Sequence, residues 1–325
     1  MINKIHFGKR IAGYRKGINL SQAELAEKLS VTSQAVSKWE CGKALPDVEL
    51  LMELSYLYGV SINELLEDND IIAKLSNKVY ESDGIAYFVP KVEKPDNESW
   101  AKEIVQGDWI SRNWDKCKNR NGGIGDDIGK KIADHGGIIL EIGAGPGGGF
   151  MPYILKANPD AKMIINDLSP TVIKGWKRFL DHELDSPGIS YAAFNFCDIP
   201  FKDNSIDIIS DGGGIGNTES GEKCKALKEA YRVLKPGGLF VTSTGFVNKE
   251  TLAALPKQTQ AILKEKRPDV FEDLYEETVL AGFAKIDSII SGSWDTDNDQ
   301  STIADLARSL GVNLKFTSYV RYCVK

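Results

Sequence analysis

Ile138-Ile-Leu-Glu-Ile-Gly-Ala-Gly-Pro-Gly-Gly-Gly149 is a short apolar run that ends in a burst of glycine. Ile138 to Ile142 predict a strand buried on both faces, and Gly143, Gly145 and Gly147 predict a turn at its tip where bare backbone approaches a ligand closely. Such a turn alone suits NAD as well as other nucleosides. Working outward, Lys162–Asn166, Ser190–Phe194, Ile206–Ser210, Leu239–Thr244, Lys285–Ile290 and Lys315–Val324 also read as strands, with helical patterns between them. Strands alternating with helices predict an α/β Rossmann-like domain on a seven-stranded, mostly parallel sheet.

The spacing of acids narrows the ligand. Asp167 ends the second strand about 20 residues past the glycine loop, where a carboxylate accepts ribose hydroxyls. Asp198 follows the third strand in Phe196-Cys-Asp-Ile-Pro-Phe-Lys-Asp-Asn-Ser-Ile-Asp207, and Glu229-Ala-Tyr-Arg-Val-Leu-Lys-Pro-Gly-Gly238 comes next. Asp203 and Asp207 read as shaping the turn into the fourth strand, and Lys235–Gly238 as a tight turn before the fifth.

In that order these motifs resemble the class I S-adenosylmethionine (SAM)-dependent methyltransferases that act on small molecules, over residues 135 to 245. The resemblance implies that Glu141, Gly143, Ala144, Gly145 and Gly147 surround the methionine part and that Asp167, with Leu168, meets the ribose. It implies that Asp198, with Cys197 and Ile199, meets the adenine, and that Ser210, Asp211 and the residues to Gly214 border the sulfonium. An activated sulfonium methyl needs an acceptor held in line more than it needs an acid or base. Where a base is required, Asp211 is the catalytic candidate. Base-amino methylation of DNA is not the expected activity, because Ser210-Asp-Gly-Gly-Gly-Ile-Gly-Asn217 lacks the Asn/Asp-Pro-Pro-aromatic run that clamps a flipped base. The expected acceptor is a small molecule, with Trp109, Trp114, Phe246 and Trp294 available to enclose it.

The N-terminal region has a different grammar. Ser21 and Glu24 form a capping-box pattern that opens a helix over Gln22–Leu29, and Ser30-Val31-Thr32 turns the chain into a second short helix, Ser33–Glu40, stopped before Gly42. A third helix carries Leu50, Leu51, Leu54 and Leu57 on one stripe, and a fourth follows a cap at Ser61. The run SQAELAEKLSVTSQAVSKWECGKALPD resembles the lambda-repressor-like, or XRE-type, helix-turn-helix family. This implies an all-α bundle that reads operator DNA as a dimer, with Ser33, Gln34, Ser37 and Lys38 at base edges, Thr32 at the start of the reading helix and Gln22 at the phosphate backbone. Arg10 and Lys43 are also placed for phosphates, and Ala26, Val31, Val36 and Trp39 belong inside. Charge supports the division: residues 1–45 carry eight Lys or Arg against three Glu, a local +5, in a chain of net charge -6.

The 325-residue length fits two units. The expected division is a head at 1–67, a partly ordered linker at 68–100 with a short apolar patch, Ile85 to Val89, that is a candidate strand, and the methyltransferase-like domain at 101–325. Five scattered cysteines and three histidines suggest neither a disulfide framework nor a metal site, and the polar, basic start and the lack of a membrane-length apolar run lead us to expect neither a leader nor a membrane span. The expected setting is the cytoplasm. Two functions fit: an enzyme whose head regulates its own or neighbouring genes, or a transcription regulator whose SAM-binding domain senses a ligand without turnover.

Overall fold

The computed structural model describes residues 4–66 except 19 and 61, 80–88, and 109–325 except 120–121, 185–187, 219, 268–270, 272, 298 and 300–301. The cap expected at Ser61 and most of the expected linker lie outside the described residues. The chain divides into two compact units, Met1–Ile71 and Ile72–Lys325.

The first unit holds helices α1 (Lys4–Gly17), α2 (Gln22–Lys28), α3 (Ser33–Glu40), α4 (Val48–Tyr58) and α5 (Ile62–Leu66). The reciprocal capping box forms: Glu24 N–H donates to Ser21 Oγ at 3.2 Å, and Ser21 N–H donates to Glu24 Oε2 at 2.7 Å. Thr32 caps α3 by accepting from Ala35 N–H, and Asp47 caps α4 by accepting from Leu50 N–H. Between α2 and α3, Ser30 takes a left-handed φ of 54° that reverses the chain. Phe7, Ile11, Leu25, Ala26, Val36, Trp39, Leu54 and Leu65 form one core. Gly8 lets α1 approach α3 closely, since a Cβ there would sit 2.4 Å from the Trp39 carbonyl oxygen.

The second unit is a nine-stranded sheet in the order β1-β2-β5-β4-β3-β6-β7-β9-β8. Its strands are β1 (Tyr80–Ser82), β2 (Ile85–Tyr87), β3 (Ile138–Ile142), β4 (Lys162–Asp167), β5 (Ile189–Ala193), β6 (Ile206–Asp211), β7 (Leu234–Val247), β8 (Ala284–Asp295) and β9 (Lys315–Val324). From β2 through β7 every neighbouring pair is parallel, and β1, β9 and β8 add antiparallel strands at the two sides.

The expectation of seven strands is corrected to nine among the described residues. The two additional strands are a hairpin inside the span expected as linker, where Asp83 and Gly84 turn the chain with positive φ and β2 pairs with β5. β2 falls on the apolar patch that begins at Ile85, whereas three-residue β1 is too short for periodicity to reveal. The turn expected at Lys235–Gly238 is instead an irregularity within β7. Ile206 faces Leu234 but Ile208 faces Leu239, so the four residues bulge out with Gly237 at φ 79°.

The topology itself positions a site. Chain order runs from β3 outward to β4 and β5, then returns to β6 on the other side of β3 and continues to β7. The loops after β3 and β6 therefore leave adjacent strands in opposite directions, and the crevice at that switch point is where open parallel sheets take ligands.

Candidate functional site

The loop after β3 is held by partners the sequence does not display. Gly143, Gly145, Gly148 and Gly149 adopt positive φ, so the turn is left-handed at four points. Trp176 Nε1 donates to the Gly145 carbonyl at 2.7 Å, and Ala144 N–H donates to the Asn166 carbonyl at 2.9 Å. Fully buried Asn166 links three strand ends: its Oδ1 accepts from Gly143 N–H, and its Nδ2 donates to the Ala192 and Phe194 carbonyls.

Asp167 stands at the end of β4, as expected, and is mostly buried. Its Oδ2 accepts from Gly145 N–H and its Oδ1 from Ser169 N–H, each at 2.8 Å, which ties the carboxylate to the tip of the glycine loop. Beside it Leu168 is half exposed, and Asp198 is exposed on the neighbouring loop. On the outer side of the glycine loop, a Cβ built at Gly145 or Gly147 meets nothing closer than 3.9 Å.

This surface of bare backbone, two carboxylates and an exposed leucine fits a nucleoside with a short polar chain. Carboxylates accept ribose hydroxyls or an exocyclic amine, while the leucine offers an apolar face to a base. The residues present fit S-adenosylmethionine.

Other residues of the expected set lie beneath this surface. Glu141 is fully buried, where it accepts from Phe150 N–H at 3.2 Å and from the Ser210 hydroxyl. Burial pushes its carboxyl above the usual carboxylate range, and its place beneath the loop makes it an internal brace and not a group displayed to the methionine part. Cys197 is buried with its thiol directed at the Glu222 carbonyl. Ile199 is also fully buried and contributes its N–H to Glu229 at 2.8 Å.

Asp211 is fully buried as well. It accepts from Gly213 and Ile215 N–H and from the Thr242 hydroxyl. Burial raises its carboxyl to about 6, against those hydrogen bonds, which lower it. Its geometry folds the 211–217 turn; the expected catalytic-base position on the crevice surface is not where the structure puts it.

The two glycine loops pack backbone to backbone. A Cβ at Gly212 would lie 2.4 Å from Gly149 Cα, and one at Gly143 would lie 3.2 Å from Gly214 Cα. The consecutive glycines at 147–149 and 212–214 were the available signal for this contact. A second device is Arg232, whose guanidinium donates to the Ile199 and Phe201 carbonyls and to Asp203 and Glu229, clamping the loop that carries Asp198.

A cavity of about 320 Å³ opens where the tips of β6 and β7 meet β8 and β9; its walls include Gly212, Gly213, Ser243, Arg267, Trp294 and Phe316. Of the four aromatics expected to enclose an acceptor, Trp294 lines it. Trp114 is core, edge-on to Phe179. Phe246 is buried and stacked on Tyr319, and Trp109 is exposed near Arg112. Helix Trp109–Asn119 does reach the glycine loop, since Asn113 donates to the Pro146 carbonyl at 3.2 Å.

In the first unit α3 presents Ser33, Gln34 and Lys38 to solvent and Ser37 partly so, while Val36 and Trp39 are buried. Exposed Thr32 acts as the N-cap. Two expected phosphate contacts are differently engaged. Arg10 donates through Nε to the Leu65 carbonyl, and Gln22 Nε2 donates to Glu40 Oε2 at 2.7 Å. Glu40 also takes a two-pronged ion pair from Arg15, so Arg15, Gln22 and Glu40 lock α1, α2 and α3 together.

The fold and these sites define a two-part chain: a helix pair of the kind that docks in the major groove, and a doubly wound sheet with a nucleoside crevice at its switch point. Comparison agrees. Residues 11–65 match the helix-turn-helix family and residues 140–242 the methyltransferase domain family. The head is similar to the HTH-type transcriptional activator BcrR of Enterococcus faecalis, with 41% identity over 68 residues, 21% of this chain and 33% of that one. The second unit is similar to the ubiquinone/menaquinone biosynthesis C-methyltransferase UbiE of Hahella chejuensis, with 32% identity over 104 residues, 32% of this chain and 41% of that one. The chain thus spans less than half the length of either relative. Among solved structures, Haemonchus contortus phosphoethanolamine N-methyltransferase 2 in complex with S-adenosyl-L-methionine aligns with TM-score 0.45 and 16% identity, over 71% of this chain and 61% of that one. No helix among the described residues is long and apolar enough to cross a membrane.

Proposed function

We propose that this protein is a SAM-dependent methyltransferase acting on a small molecule, with a head that binds operator DNA as a homodimer and regulates its own or neighbouring genes in the cytoplasm. The observation that carries the enzymatic reading is the Asp167 carboxylate fixed to the Gly145 amide at the switch point, beside a loop whose outer face is open backbone. S-adenosylmethionine, when bound, supplies a methyl group activated by positive sulfur. The chain's own contribution is positional. Asp167 and Asp198 hold polar groups of a nucleoside, the bare backbone at Gly145 and Gly147 admits the polar chain, and Asp211 sets the 212–217 turn against which an acceptor is aligned. Five free cysteines, three of them buried, suit a reducing compartment.

Calorimetry with S-adenosylhomocysteine tests the site. The intact chain is expected to bind, and Asp167→Asn, which keeps the shape but loses the charge and one acceptor, is expected to weaken binding at least about tenfold at unchanged fold. A well-folded protein that ignores the ligand would overturn the reading. Binding without transfer to any metabolite in a broad screen would favour a sensor. For the head, Gln34→Ala is expected to abolish selective binding to the upstream region of the gene while leaving helicity intact.

A further inference from the structure

We propose that the acceptor is a small, flat, polar aromatic compound of one or two rings, and that Trp294 is the platform on which it stacks. The proposal rests on the methyltransferase reading and concerns the cavity at the tips of β6 and β7. Gly212 and Gly213 form one wall, so the cavity shares a loop with the proposed methyl-donor crevice. Trp294 and Phe316 form another.

These two rings are stacked with centroids 5.1 Å apart and planes 6° from parallel. Phe316 is buried beneath, whereas Trp294 remains 44% exposed. A large aromatic side chain stacked on a buried ring, itself partly exposed and lining the cavity, is placed to continue the stack with a third ring. Its seat is specific. The indole lies over Gly245 of β7, where a Cβ would come within 2.7 Å of the ring edge, so any larger residue there would displace it. Gly245 has no positive φ, so clearance for the indole is what the structure shows glycine providing.

The remaining walls restrict the occupant further. Ser243, Ser318 and Asn217 offer hydroxyl and amide groups, and Arg267 and Asp299 add one charge of each sign. Such a rim recognises hydroxyl or carboxylate substituents on a ring. A volume of about 320 Å³ is at the small end for ligand sites, which favours a compact acceptor over one carrying a long apolar tail. In the transfer, a bond forms between the methyl carbon and the acceptor atom as the carbon–sulfur bond breaks. Its electron pair returns to sulfur, giving S-adenosylhomocysteine, and the acceptor's proton leaves to water.

The test uses the full chain with saturating S-adenosylhomocysteine. Binding of catechol and 3,4-dihydroxybenzoate is compared with that of trans-1,2-cyclohexanediol by ligand-observed NMR. The aromatic probes are expected to bind and the saturated diol to bind at least about tenfold more weakly. Trp294→Ala is expected to lose the aromatic preference, Trp294→Phe to retain most of it, and Gly245→Ala to weaken it by displacing the indole. S-adenosylhomocysteine affinity should stay constant in all three variants. Equal binding of ring and saturated probes, an unaltered preference in Trp294→Ala, or no aromatic binding by protein that holds S-adenosylhomocysteine would each overturn the platform. Failure to bind S-adenosylhomocysteine would instead overturn the underlying methyltransferase reading, and this proposal with it.

Discussion

Single residues in the second unit differ sharply in what they tolerate, and glycine shows it best. Gly149 has φ 56°, and a Cβ there would fall 1.8 Å from Glu141 Oε1. Gly147 has ordinary φ and open space around it. Gly149→Ala is therefore expected to destabilise the unit by at least about 2 kcal/mol in denaturant titrations, with Gly147→Ala within about 0.5 kcal/mol of the parent. Equal costs would contradict this account of the loop. Asp211 yields a pH prediction. Burial raises its carboxyl to about 6, above the unfolded value, so the native state holds its proton more tightly than the unfolded chain. The associated stability is fully present below the unfolded pKa and is lost as pH rises through 6. Asp211→Asn keeps an acceptor for Gly213 and Ile215 and can donate to Thr242, but it does not ionise. Between pH 4 and pH 7 the parent should lose up to about 3 kcal/mol relative to this variant. A constant difference in melting temperature across that range would show that Asp211 does not titrate as argued.

At the scale of elements, the head depends on one carboxylate. Glu40, at the end of α3, accepts from Arg15 on α1 and Gln22 on α2, and the Arg15 and Glu40 side chains are only 10% and 7% exposed. Burial alone would raise the Glu40 carboxyl, but hydrogen bonds from Arg15 and Gln22 outweigh it and hold it below its usual value. Glu40→Ala leaves a buried guanidinium unpaired and is expected to cost the head about 3 kcal/mol, read as loss of helicity in chemical denaturation. A cost under about 0.5 kcal/mol would make the network incidental. This network also shows where reading by sequence stops. The cap at Ser21, the core position of Trp39 and the central parallel strands were legible because capping, periodicity and apolar runs are local signals. The partners of Gln22 and Arg10 were not, because Glu40 and Leu65 lie 18 and 55 residues away along the chain. In the second unit the placement of the loop glycines and of Asp167 at strand ends was legible, while Asn166, Trp176 and Arg232 act through contacts set by strand order. Glu141, Cys197 and Asp211 carry the residue types expected of a site, yet they are buried supports, a distinction that appears only once loops are folded over strand ends.

For the molecule as a whole, two compact units with separate cores make a thermodynamic prediction. One core is built on Phe7, Leu25, Val36 and Leu54, the other on residues of the sheet such as Ile139, Ile165, Trp176 and Val241. Independent cores melt as independent cooperative units. Scanning calorimetry of the full chain is expected to show two transitions. S-adenosylhomocysteine at a hundred times its dissociation constant should stabilise the larger unit by about 2.7 kcal/mol, moving that transition by roughly 5–10 °C. A duplex carrying the operator should move the smaller one. If each ligand shifts its own transition alone, binding at one unit does not alter the other, and regulation by the head is a matter of protein abundance. If S-adenosylhomocysteine also moves the head's transition, the two sites share a coupling free energy. Linkage then requires operator DNA to change S-adenosylhomocysteine affinity by the same factor. A single transition shifted by both ligands would show that the units melt together, against the division into separate cores.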